Sequence, residues 1–279
     1  MSKHHTVPKF YVANFCDAAG QIHFYDKRSN RRNKRVEPRN PESVFFEKHQ
    51  NSVYLENGKA DESLEDGFAR QDTIACNMIR DVLSVLDADA LPQLGSNFRK
   101  QWDVYFHFLI KRQPEFLAKL AEPDLNQIFQ DAYDKRKSEA GEEVAKEELE
   151  EITSEMIDRD KHNATQEARG LISNNILNCL NQKNLIFVKI VDKCEMFCVG
   201  SNLFVYFGAT GDLRDESTSL FAPLSSRYGF AYVSTSINES IINFNGDDVR
   251  MTNLNVAKQS RMFGSAEHNL TQSLVAAVD

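Results

Sequence analysis

Residues 62–86 read ESLEDGFARQDTIACNMIRDVLSVL, and the spacing of their apolar positions decides the architecture. Leu64, Phe68, Ile74 with Ala75, Met78 with Ile79, Val82 and Leu86 fall on one side of a helix at three- and four-residue steps. The pattern predicts a long helix that ends before Leu91-Pro92. A second helix is expected from Ser96, a candidate N-cap, through Phe98, Trp102, Tyr105, Phe106, Leu109 and Ile110, until Pro114 interrupts it. Its aromatic content marks it as a core helix.

Outward from this pair the pattern changes. Upstream, Val7 to Phe15 alternates around aromatic residues and Gln21 to Tyr25 alternates Ile and Phe with polar residues, so short strands and turns are expected over 1–61. Downstream, residues 115–160 are strongly acidic, with a narrow apolar stripe at Ala145, Leu149, Ile152 and Met156; this reads as an exposed helical arm, a solvated hairpin or a partner-binding helix over 139–160. A short helix over Leu171–Leu180 then leads into strand-like runs at Leu185–Val191, Met196–Val199, Leu203–Phe207 and Gly229–Ser234, followed by a last helix with Asn253, Asn255 and Arg261. The expected fold is α+β in one cooperative domain over 1–279: an N-terminal β element (1–61), a central helical body (62–181) and a small β-rich C-terminal portion (182–279).

Composition agrees. The 279 residues are 41% hydrophobic and 27% charged with 19 Phe, ordinary globular values that exclude a disordered or collagen-like chain. With 41 acidic and 33 basic residues the net charge is −8, so no global positive field draws the protein to nucleic acid or anionic lipid. A local contact remains open: Lys27, Arg28, Arg31, Arg32, Lys34, Arg35 and Arg39 face a single acid, Glu37, within Lys27–Arg39. This run either touches phosphates or solubilises a hairpin. No window approaches 18 consecutive apolar residues, and the start lacks an apolar signal segment, so a cytoplasmic chain without membrane contact is expected. Cys16, Cys76, Cys179, Cys194 and Cys198 show no zinc spacing and read as reduced, mostly buried thiols.

Three constellations carry possible chemistry. His4-His5-Thr6-Val7-Pro8 sets an imidazole pair before a Pro-fixed aromatic segment; one ring could bind a metal or act as a base, or His4 belongs to a mobile terminus and His5 satisfies a backbone carbonyl. Glu65 and Asp72, seven apart, share a helix face and could hold Mg²⁺ or Mn²⁺, or simply solvate that face. Arg112, before Gln113-Pro114, either neutralises a helix C-terminus or offers its planar fork to a phosphate or carboxylate.

These residues resemble a known family. His5-Thr6-Val7-Pro8-Lys9-Phe10-Tyr11-Val12-Ala13-Asn14-Phe15 is similar to the His-x-x-Pro-x-Phe/Tyr signature that opens domain of unknown function 4238. Gly20–Asp26, Glu65 with Asp72, Arg112-Gln113-Pro114, Pro223-Leu224-Ser225 and the Asn253 or Asn255 with Arg261 helix follow in the family's order. Two positions depart: Ser201 stands where the family usually has aspartate, and Asp72 where glutamate is usual. The resemblance implies that His5, Glu65, Asp72, Arg112 and Asn255 form a polar site, as a metal-assisted phosphodiesterase would need. The expectation is a nuclease-like hydrolase of nucleic acid or a nucleotide. Glu65 and Asp72 would hold the cation, His5 would activate water, Arg112 would stabilise phosphoryl charge and Asn255 would orient a ligand oxygen. The rival is a non-catalytic component of a defence or toxin-antitoxin operon that docks through the acidic arm.

Overall fold

The computed structural model describes residues 3–29, 35–48, 51–55, 59–113, 134–135, 137–139, 141–142, 159, 162–163, 166, 169–208, 210 and 212–278. The acidic arm and three bases of the basic run, Arg31, Arg32 and Lys34, lie outside the described residues or almost wholly so.

The fold is α+β. Among the described residues, the helices that position the site are α1 (Lys9–Ala13), α2 (Ser63–Asp87), α3 (Ser96–Arg112), α4 (Asn174–Asn181), α5 (Gly246–Gln259) and α6 (His268–Val278). The strands are β1 (Lys3–His5), β2 (Ile22–Asp26), β3 (Glu37–Arg39), β4 (Phe46–Lys48), β5 (Val53–Tyr54), β6 (Ala60–Asp61), β7 (Asn184–Ile190), β8 (Val199–Gly200), β9 (Val205–Phe207), β10 (Ser219–Pro223), β11 (Tyr228–Val233), β12 (Ile241–Phe244) and β13 (Met262–Ser265). One sheet runs in the order β12-β7-β11-β10-β9, with β12 parallel to β7 and the other pairs antiparallel. A second runs β3-β2-β13-β8. The N-terminal β element is present, and its β2 pairs with β13 from the far end of the chain, which joins it to the C-terminal portion in one sheet. Two-stranded pairs β1-β4 and β5-β6 complete the set.

α2 forms where its apolar spacing predicts and buries Phe68, Ala75, Met78, Ile79, Val82 and Leu86. Ile74 turns to solvent, while the neighbouring face with Ala75 and Met78 is buried. α3 begins at Ser96 with Gly95 as its N-cap and no side-chain cap, so Ser96 is the first helical residue and not the cap. The helix ends at Arg112, and Gln113 is extended, as the residue before a proline must be. Its aromatic side packs on the large sheet: Trp102 lies 4.7 Å from Phe106 and 5.2 Å from Phe230, and Phe106 lies 4.4 Å from Phe230. β7 and β11 are apolar almost throughout because both faces are covered. A buried polar link crosses the same layer: Tyr232 donates to Asp103 (2.6 Å), which also accepts from Arg99 Nε (2.9 and 3.0 Å), and Arg99 reaches the carbonyls of Leu180 in the last turn of α4 and Lys183 just beyond it.

The sequence from Val7 to Phe15 is not a strand. Pro8 stands at the N-cap of the five-residue α1, and Tyr11 and Phe15 stack on its inner side, ring centroids 6.0 Å apart. The Tyr11 hydroxyl donates to Pro223 O, and Asn14 donates to Leu224 O (3.1 Å), so this segment clasps the β10-β11 turn. Only Val199 of the expected Met196–Val199 strand pairs in a sheet. The last expected helix, α5, ends at Gln259 before Arg261, and one further strand and helix follow it. The cysteines are all free, but only Cys198 is buried. No helix among the described residues is long and apolar enough to cross a membrane.

β13 runs between β2 and β8 without room for a side chain at Gly264, where an added Cβ would stand 2.7 Å from His23 O. The obstacle is backbone of the neighbouring strand, which has nowhere to go. Gly264→Ala is expected to cost about 1–3 kcal/mol in urea unfolding. An unchanged midpoint would show that the two strands part more easily than their packing implies.

Candidate active site

Three sequence-predicted residues meet in one open cleft of about 790 Å³. His5 reaches it from the end of β1, Glu65 and Asp72 from α2; Pro8, Lys9, Phe10, Glu42, Ala69, Thr73, Cys76 and Asn77 complete the lining. The seven-residue interval sets both carboxylates on one helix face, as expected. Arg112 stands behind this wall: its Nη1 donates to both oxygens of Asp72 (2.8 and 3.0 Å), and its guanidinium lies 4.2 Å from the centre of the Phe68 ring. Burial pushes the Asp72 carboxyl above the usual range while Arg112 pulls it back down. Across the mouth, Lys9 Nζ approaches Glu42 at 3.8 Å.

Asn255 does not line this cleft. The buried asparagine of α5 is Asn253, which accepts from Cys198 N and donates to Met196 O, each at 2.8 Å, and so fixes the segment before β8. Ser201 is also structural: buried, its Oγ accepts from Arg261 N (3.0 Å) and Met262 N (3.3 Å).

The residues that hold the cleft in shape carry no sequence signal. Arg169 is fully buried and donates to Lys111 O (3.2 Å), Arg112 O (3.4 Å), Gln166 Oε1 (2.8 Å) and Asn51 Oδ1. Asn51 in turn donates through Nδ2 to Glu65 and through its backbone N–H to His4 Nδ1 (2.6 Å). His4 is thereby buried and anchored, its Nε2 facing Glu62 at 2.7 Å, and does not belong to a mobile terminus. Accepting at Nδ1 leaves Nε2 to carry the proton toward that carboxylate. Glu62 forgoes capping α2 and instead joins His4 and Ser52. Of the basic run, Lys27 caps the end of α5 through Ala257 O (2.6 Å), Arg28 binds Asp26 and Glu47, and Arg39 binds Glu37.

Glu65 and Asp72 suit a hydrated cation more than a caged one. A carboxylate offers about four lone-pair sites. Asn51 takes one on Glu65 and Arg112 one on each oxygen of Asp72, which leaves both groups able to accept another ligand. Among the described residues there is no group of three or more His, Cys, Asp or Glu able to enclose a metal. Mg²⁺ is commonly held by only one or two carboxylates together with a substrate phosphate.

A family model described as "Protein of unknown function (DUF4238)" matches residues 3–264. The chain belongs to this family. The match spans the whole cleft lining and α1 to α5. No curated protein and no solved structure matches the chain.

Two outcomes follow from this geometry. Asp72→Ala strands the buried Arg112 guanidinium and is expected to cost about 3 kcal/mol in urea unfolding, most of it restored when Arg112→Met is added. A double variant no better than the single would show that the pair is not the source of the loss. The second concerns His107, whose Nε2 accepts from Ser173 N (3.0 Å) and whose pKa burial and Lys111 lower from 6.5 to about 4. The native state binds fewer protons than the unfolded chain between those values, so this contribution to stability is complete above pH 6.5 and lost as pH falls toward 4. His107→Gln, whose amide oxygen can take the Ser173 N–H, should give a flatter stability profile across that window. An identical profile would count against a neutral His107.

Proposed function

We propose that the cleft is the active site of a cation-assisted phosphodiesterase acting on nucleic acid or a nucleotide. One observation supports this reading above the others: His5, Glu65 and Asp72, far apart in the chain, line the same open cleft, with Arg112 against Asp72. Mg²⁺ or Mn²⁺, when bound, supplies Lewis-acid polarisation of the phosphoryl group. Glu65 and Asp72 are the groups that hold it. Asn51 orients the Glu65 carboxylate, and Arg112 favours the ionised form of Asp72 that a cation requires. His5 takes a proton from the attacking water, a general-base role open to an imidazole that lines the cleft. Lys9 at the mouth neutralises the flanking phosphate. In this reading Lys27–Arg39 guides the nucleic acid, though Lys27, Arg28 and Arg39 already hold protein groups.

The second reading, a non-catalytic partner of a defence or toxin-antitoxin system, takes its support from the same ion pairs. Asp72 and Glu65 each already have a protein donor, as purely structural carboxylates would.

The two readings part in a thermal melt and a hydrolysis assay. Free Mn²⁺ at one hundred times its dissociation constant stabilises the fold by about 2.7 kcal/mol, a rise of several degrees in Tm for a chain of this size. Glu65→Gln should lose most of that rise and at least about a hundredfold of Mn²⁺-dependent cleavage of a labelled oligonucleotide, while folding normally without metal. A wild type that neither shifts nor cleaves, indistinguishable from Glu65→Gln, would favour the non-catalytic reading.

A further inference from the structure

Cation and phosphate chemistry uses the charged side of the cleft and leaves Pro8, Phe10 and Ala69 on its lining without a task. Phe10 is the large one of these, placed directly after Lys9 at the start of α1. It packs on the core with part of its surface left exposed. Its ring neighbours are Tyr11, 6.3 Å away at 71°, and Tyr105, 6.4 Å away at 43°. Neither contact is parallel, so among the described residues no ring stacks on Phe10. The turn that carries it is anchored: Pro8 fixes the entry to α1, and Tyr11 and Val12 are buried, with the Tyr11 hydroxyl donating to Pro223 O. A ring held on such a turn loses little freedom when a ligand settles on it.

An aromatic side chain in a cleft that also holds a few polar groups suits a ligand with a planar apolar part. In a nucleic acid that part is the base. Every base has a π face, and stacking on an aromatic side chain is how proteins hold unpaired strands without reading sequence. In a duplex both faces of an internal base are covered by its neighbours, so the contact is open only to a base outside the stack. The charge of the cleft agrees. Among the described residues of its lining, Lys9 is the one lysine or arginine, against Glu42, Glu65 and Asp72. Duplex binding draws its affinity from many cations on phosphates, which this lining does not offer.

We infer that Phe10 is a stacking platform for one nucleobase, which makes an unpaired strand, DNA or RNA, the substrate class of the cleft. The identification of the planar group as a base rests on the phosphodiesterase reading.

A labelled oligonucleotide, as DNA and as RNA, tests this by fluorescence anisotropy in Ca²⁺, a cation that carboxylate oxygens also hold. Phe10→Leu keeps an apolar side chain against the core and removes the ring face, whereas Phe10→Trp enlarges that face. Wild type should bind an unpaired strand at least about tenfold more tightly than the same sequence in a duplex. Phe10→Leu should lose about tenfold on the unpaired strand, the scale of one stacked base, and nothing on the duplex, while Phe10→Trp binds at least as well as wild type. A strand with abasic residues should bind wild type about as weakly as the normal strand binds Phe10→Leu, and this arm requires no variant to fold. No binding of any strand by wild type, a duplex bound as tightly as the unpaired strand, or an abasic strand bound as tightly as the normal one would overturn the proposal. So would a folded Phe10→Leu that binds like wild type, or a Phe10→Trp as weak as Phe10→Leu. Cleavage in Mn²⁺ keeps the two readings apart. Ring-dependent binding of unpaired strands without cleavage retains the platform and removes the phosphodiesterase, whereas equal cleavage of single strand and duplex by wild type and Phe10→Leu removes the platform alone.

Discussion

A guanidinium with no exposed surface must be solvated by the protein around it, and Arg169 is in that position. Its donors go to the last carbonyls of α3, to Gln166 in its own helical turn, and to the side chain of Asn51. Each contact fixes a different part of the molecule. The carbonyls of Lys111 and Arg112 would otherwise be orphaned at the helix end, so Arg169 serves as a C-terminal cap supplied from elsewhere in the chain. Once Asn51 is held, its backbone N–H secures His4 and its amide secures Glu65. His5 follows His4 in β1, and Asp72 follows Glu65 on α2. The positions of all three cleft residues thus descend from one buried charge.

Such a network contributes position more than stability, since burying several charges together rarely repays their desolvation in full. Stability resides in the layer beneath, where Trp102, Phe106 and Phe230 pack in tilted and edge-to-face geometry between α3 and the five-stranded sheet. α3 joins the two regions. Its first turns carry Arg99 and Asp103 into contact with β11 and the end of α4, and its last turn carries Arg112 to Asp72 behind the cleft wall. Little freedom remains for the helix to shift, which suits a helix whose Arg112 holds Asp72 in place.

Long-period features were legible in the sequence and short or long-range ones were not. α2 and α3 declared themselves because many apolar residues repeat over several turns. α1 was misread because five residues are too few to show a period, and Tyr11 and Phe15, four apart, also fit an aromatic alternation. Ile74 was placed on the buried stripe because a periodic pattern cannot tell which of two adjacent apolar residues faces the core. In the site, spacing exposed Glu65 and Asp72, and the doubled imidazole exposed His5. Asn51 and Arg169 stayed hidden because their contact spans 118 positions, and no local pattern marks an asparagine or arginine that is buried.

The departure at Ser201 bears on the turn and not on the cleft. The residue ends β8 against β13, and its Oγ accepts the backbone N–H groups of Arg261 and Met262. An aspartate at this position would have two oxygens fitted for the same task, since short polar side chains commonly cap backbone donors in turns. A serine does it without burying a charge, and its own N–H donates to Met262 O at 2.8 Å, which closes the turn from both sides. An aspartate here would keep the same hydrogen bonds and add one negative charge to the interior. Because Ser201 does not line the cleft, the carboxylates that do, Glu42, Glu65 and Asp72, are the same whichever residue occupies the turn.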